Sequence, residues 1–178
     1  MITTKANDIT NKEAYATVGE LVLIASALDD LLNEVVVTVL DLGQAVLIVP
    51  VVATLEAVRK IELLKERANH ISQAAWKKSL KGFLDKVEKV FKARNIACHT
   101  VPVLNNGNWT LKPIAAAKLM KKLDLKTKTI PHVSVADLRS AITAGEAALG
   151  EGVNLIENFK RVSAEKARRD MARNKVTK

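Results

Sequence analysis

Apolar residues recur along most of this chain at spacings of three and four, the period of a helix that buries one face. From about Asn11 to Leu42 the stripe is Val18, Leu21, Val22, Ala25, Leu28, Leu32, Val35 and Val39, with Asp29, Asp30 and Glu34 beside it as a solvated flank. A second helix is expected from Pro50 to about Asn69, because proline suits a first turn, where its missing N–H would have no partner anyway. Its inward positions are Val52, Leu55, Val58, Ile61 and Leu63 or Leu64, and Arg59, Lys60, Lys65 and Arg67 make its outer side basic. The third helix begins near Ser72 or Ala75 and carries the clearest stripe, Trp76, Leu80, Phe83, Leu84, Val87, Val90 and Phe91. A last helix opens at Ser134, with Asp137 three residues later in a near capping-box pattern. It is expected from Val135 to about Lys160 or beyond, with Leu138, Ile142, Leu149, Val153, Ile156 and Phe159 inward.

Between these helices the texture changes. Val101 to Leu104 and Trp109 to Leu111 are short apolar runs around Asn105, Asn106, Gly107 and Asn108, a hairpin signal with a turn that accepts positive φ. Lys112 to Val133 is basic, contains Pro113 and Pro131, and shows no sustained period; it reads as a long excursion with a helical turn at Ala115 to Leu123. Val35 to Leu55 is apolar enough to raise the question of a membrane span. Asp41, Gly43, Gln44 and Pro50 interrupt it, and a central Asp costs about 2.5 to 3.5 kcal/mol on insertion scales. A helix end, a buried turn and a new helix are expected there, with no membrane span. The fold class predicted is all-α, an up-down bundle of four to five helices with a small β-hairpin after the third long helix.

Composition narrows this picture. Aromatics are 3% of 178 residues and Gly plus Pro number 11, which favours helices over a sandwich or barrel. The length suits one domain, taken here as residues 1–165, followed by a basic tail, 166–178, expected to be flexible. The single Cys98 excludes an internal disulfide and suggests a reducing compartment, and the spacing of the three His suggests no metal cluster. The polar start MITTKANDITNK has no apolar run or cleavage pattern of a secretory signal, so a cytoplasmic location is expected. The net charge of +9 attracts polyanions. From Glu165 onward Lys166, Arg168, Arg169, Arg173, Lys175 and Lys178 stand against Glu165 and Asp170, so six minus two places +4 of that excess at the terminus.

The candidate chemistry lies at the end of the third helix. Continuing its apolar stripe leads to Arg94 and Cys98, so a cation that does not lose its charge stands where an apolar residue is expected. Asn95 and His99, four apart, lie about 40° from each other on an ideal helix, whereas Arg94 and His99 lie about 140° apart. An imidazole can accept the proton of a ribose 2′-hydroxyl, and a guanidinium can hold the charge that develops when that oxygen attacks the adjacent phosphate. The same residues have a plainer reading, because Arg94 and His99 both complement the negative end of a helix dipole. His70 reads as a helix-end residue, His132 as a loop residue and Cys98 as a small core residue.

The segment VFKARNIACHTVPVLNNGNW resembles the HEPN superfamily, whose signature is Arg, a polar residue such as Asn, and a His four to six residues after the Arg, at the end of a helix in an α-helical bundle. Arg94, Asn95 and His99 match it. Eight Arg, three His and eleven Asn in this composition give roughly 0.02 such matches by chance. Many relatives have Gly after the His, where this chain has Thr100, a position that shapes the turn. The resemblance implies catalytic roles for Arg94, Asn95 and His99 in a metal-independent endoribonuclease of the toxin or antiviral-defence type. It also implies no cofactor, RNA as substrate, a homodimer with two motifs facing each other, and room for an antitoxin or other protein partner. The alternative it leaves is a non-catalytic HEPN-like module that binds RNA or protein; a structural helical adaptor is a third class.

Overall fold

A computed structural model of the chain describes the backbone of residues 3–43, 47–105, 108–113 and 133–176. The fold is all-α, a helical bundle with a small sheet. Among the described residues there are five helices: α1 (Thr3–Val39), α2 (Ile48–Ala53), α3 (Ala57–Asn69), α4 (Ala74–Cys98) and α5 (Val135–Val176). Three antiparallel strands, β1 (Thr100–Asn105), β2 (Asn108–Pro113) and β3 (Val133–Ser134), lie in the order β1-β2-β3. The excursion expected with a helical turn at Ala115 to Leu123 falls largely outside the described residues, as do His132 and two residues of the hairpin turn. No described helix is long and apolar enough to cross a membrane.

Several boundaries move for identifiable reasons. Helix α1 stops at Val39, three residues short of the expected Leu42. Asp41 takes φ 57°, and its N–H and that of Leu42 bond back to Thr38 O and Val37 O, a left-handed cap that satisfies carbonyls the helix leaves open. The second predicted helix is two. At the end of α2 the Thr54 hydroxyl donates to Val51 O at 2.7 Å, and Glu56 is extended (φ −62°, ψ 146°) before α3 begins at Ala57. That break turns Val58 outward, 56% exposed, and among the two candidate leucines it buries Leu64 rather than Leu63. The basic stretch 166–178, expected as a tail, is helical through Val176 as the end of α5.

Two compact units divide the chain. The first comprises Met1–Ser26 and Val87–Glu146. Its core is drawn from Leu21, Ala25, Val87, Val90, Phe91, Leu111, Leu138, Ala141 and Ile142. The predicted cap of α5 is a full box: Asp137 N–H donates to the Ser134 hydroxyl at 3.1 Å, while Asp137 Oδ2 accepts from Ser134 N–H at 3.0 Å and from its hydroxyl at 2.7 Å. Those two bonds, with Lys89 nearby, hold the Asp137 carboxyl below its ordinary value.

The second unit comprises Ala27–Lys86 and Ala147–Lys178. Leu28, Leu32, Val35, Val36, Leu64, Leu80, Phe83 and Leu84 are fully buried in it. Gly152 lets α5 come close to α1 and α4, since a Cβ there would sit 2.5 Å from Leu31 Cδ2 and 3.0 Å from Phe83 Cε2. Trp76 stacks tilted on Phe159, ring centres 5.0 Å apart. Lys60, expected on the basic outer side of its helix, is instead completely buried, with Nζ 2.8 Å from Asp29 Oδ1. Its methylenes lie within the core while its amine reaches a carboxylate that remains 45% exposed. Asp29 therefore answers a cation of its own chain.

Candidate active site at the end of helix α4

The first unit holds the whole motif. Leucine, valine, lysine and glutamate carry α4 as far as Cys98, and the stripe Val87, Val90, Phe91 anchors one side of it in the core. At its last turn His99 N–H bonds Ile96 O at 3.1 Å, three residues back, a tightened final turn. The Thr100 hydroxyl donates to Ala97 O at 3.0 Å, so it caps an otherwise open carbonyl. Thr100 is also the first residue of β1, opposite Pro113 in β2. The turn that presents His99 is thus fixed on both sides.

Burial separates the motif residues. Ala97 closes the apolar stripe, 6% exposed, and the tightened turn leaves Cys98 exposed, which corrects its expected place in the core. Arg94 follows the stripe and is half-buried, its Cζ 5.6 Å from the centre of the buried Phe91 ring. A guanidinium over an aromatic face is attracted by the ring quadrupole, which offsets part of its lost hydration. Among the described residues no carboxylate lies within ion-pair distance of Arg94. Asn95 and His99 are exposed and lie on the outward side.

That outward side carries one more cation, missed in the sequence reading. Lys92 is exposed, three residues before Asn95 and seven before His99, spacings that bring all three to one face. The spacing carries that signal, on the side of the helix opposite the apolar stripe. One helix therefore offers two chemically different faces, with Arg94 on the half-covered side and Lys92, Asn95 and His99 on the open side, about 140° away for the Arg94–His99 pair. The motif residues are near in sequence but do not converge on one face of a single copy. Among the described residues no group of three or more His, Cys, Asp or Glu side chains is placed to hold a metal ion. In the second unit a cleft of about 320 Å³ lined by Lys65, Asn69, Lys81, Leu84 and Asp85 contains none of the motif residues.

Comparison with known proteins does not add to this geometry: no family model, no curated protein and no solved structure matches the chain.

Proposed function

We propose that the chain is an endoribonuclease that works through Arg94, Asn95 and His99, as its resemblance to the HEPN superfamily implies. The observation that carries the reading is the placement of Arg94. It continues a buried stripe, has no carboxylate partner among the described residues, and is only half-buried, in the same helix end that carries the exposed His99. A structural cation in a core is ordinarily paired. One left half-open is available to an anion from outside.

In the proposed reaction the RNA supplies its own nucleophile, so no metal is needed. His99 accepts the 2′-hydroxyl proton, the 2′-oxygen bonds to the adjacent phosphorus, and the phosphorus–5′-oxygen bond breaks to leave a cyclic phosphate, while the departing 5′-oxygen takes a proton from solvent to become a 5′-hydroxyl and His99 returns its own to solvent. Arg94 stabilises the charge on the pentacoordinate phosphate, Asn95 orients the sugar or phosphate beside His99, and Lys92 holds a neighbouring phosphate on the open face. The separation of Arg94 from His99 around the helix makes one copy a poor pocket. We place the working site between two copies, where the His99 of one serves a phosphate gripped by the Arg94 of the other.

The direct test is incubation of the purified chain with mixed cellular RNA in EDTA, comparing wild type with His99→Ala. Cleavage to cyclic-phosphate ends by the wild type alone supports the proposal. Intact RNA in both, with binding retained, would leave the non-catalytic RNA- or protein-binding module in its place.

A further inference from the structure

Helix α5 outruns its own core. Ala148, Gly152, Leu155, Ile156 and Phe159 bury one face, and the same three-and-four spacing continues through Val162 and Ser163 to Lys166, Arg169 and Asp170. The stripe thus turns from apolar to charged within two turns. Every residue from 164 to 173 is exposed, yet the backbone stays helical to Val176. Local chemistry accounts for this: Ala164, Glu165, Lys166, Ala167, Arg168, Arg169, Met171 and Ala172 are mostly strong helix formers. Because this segment extends an anchored helix, it avoids the nucleation cost that makes short isolated helices marginal.

The chain just before the arm spends its cations internally: Lys160 donates to Glu34 at 2.7 Å and Arg161 to Asn158 at 3.1 Å. Beyond it, Lys166, Arg168 and Arg169 have no ion-pair partner among the described residues. We infer that residues 164–173 form a nucleic-acid docking arm in which these three side chains grip RNA phosphates. Three features select that partner. The arm lacks the aromatic and leucine face with which a helix enters a lipid surface. It lacks a continuous apolar seam for a second copy of itself. Two of its three free cations are arginines, whose flat fork matches phosphate oxygens in pairs. The inference takes RNA as ligand from the proposed reaction but does not depend on cleavage.

The test uses the full chain and 2′-O-methyl oligouridylate, which has no attacking hydroxyl and so reports binding alone. Affinity is followed by fluorescence anisotropy across a potassium chloride series for wild type, Lys166→Gln/Arg168→Gln/Arg169→Gln and Arg168→Lys/Arg169→Lys. Each single-strand phosphate contact contributes roughly 0.7 to the slope of log affinity against log salt, so losing three should flatten it by about 2. The lysine variant should keep most of the wild-type slope, which shows that charge on an intact helix is responsible. An unchanged slope in the glutamine variant would overturn the arm. So would displacement of the oligonucleotide by polyglutamate with equal potency per charge, which would make the arm a surface for acidic proteins. Cleavage absent from wild type with these slopes intact would remove the nuclease reading and leave the arm standing.

Discussion

Lys60 and Arg94 are both cations on core-facing stripes, and the molecule treats them in opposite ways. Lys60, in the second unit, is wholly buried and ends on Asp29 at 2.8 Å. Arg94, in the first unit, is half-buried, rests on the Phe91 ring, and meets no carboxylate among the described residues. The first arrangement is complete without a ligand, since the buried charge is balanced internally. The second is supported by the ring and by solvent, which leaves it open to the phosphate that the proposed reaction would bring. A cation on an apolar stripe is therefore not by itself a sign of function; its partner decides.

The sharpest way to break this comparison is to remove Arg94. Arg94→Ala should lower RNA cleavage by about 10²- to 10³-fold, the loss typical of one preorganised transition-state donor, with little change in thermal stability. A large fall in melting temperature would make Arg94 a structural cation like Lys60. The converse experiment removes the partner of Lys60. Asp29→Ala should cost about 2–4 kcal/mol in denaturant unfolding, while Lys60→Met, which replaces the charge with a chain of similar volume, should stay within about 1 kcal/mol of wild type. Equal losses in both variants would show that the pair itself stabilises the fold, instead of Asp29 only balancing a buried charge.

A smaller effect tests whether the first unit has internal electrostatic order of its own. Ser134→Ala should cost about 1 kcal/mol at neutral pH through loss of the α5 cap. Because Ser134 holds the Asp137 carboxyl below its ordinary value of 3.8, the stability from that interaction is fully present above 3.8 and is lost as pH falls through the depressed value. The gap between wild type and Ser134→Ala should therefore narrow in acid unfolding below that pH; a gap that widens there would reverse the assigned sign. The smallest expected term is the Arg94–Phe91 contact. A double-mutant cycle with Arg94→Met and Phe91→Leu should give a coupling of about 0.5–1 kcal/mol in unfolding free energy, and zero coupling would leave Arg94 without any internal support.

Much of the architecture was legible because it rests on periodicity. The stripes of α1, α4 and the start of α5 bury as spaced, and Ser134 with Asp137 marks the α5 cap as read. What periodicity cannot see is where a helix stops for local reasons. The break between α2 and α3 falls at Thr54 to Glu56, where the Thr54 hydroxyl donates to Val51 O, and the left-handed cap falls on Asp41, which no spacing marks. A two-residue strand such as β3 has no period to detect. Lys60 was misplaced because lysine is assigned to the surface by type, and its partner lies thirty-one residues earlier in another helix. At the candidate site the sequence supplied the residue types and their angular offsets. It could not supply the exposure of Cys98 or the aromatic seat of Arg94, which depend on side-chain packing that spacing does not show.

The measurement that tests the central claim most directly is complementation between two inactive chains. Arg94→Ala and His99→Ala proteins are each assayed on RNA, then unfolded together, refolded as a mixture and assayed again. If the site is shared between two copies, half of the mixed population pairs the intact Arg94 of one chain with the intact His99 of the other, and about a quarter of wild-type cleavage should return. A mixture as inactive as its components, formed from wild type that cleaves, would contradict the shared site.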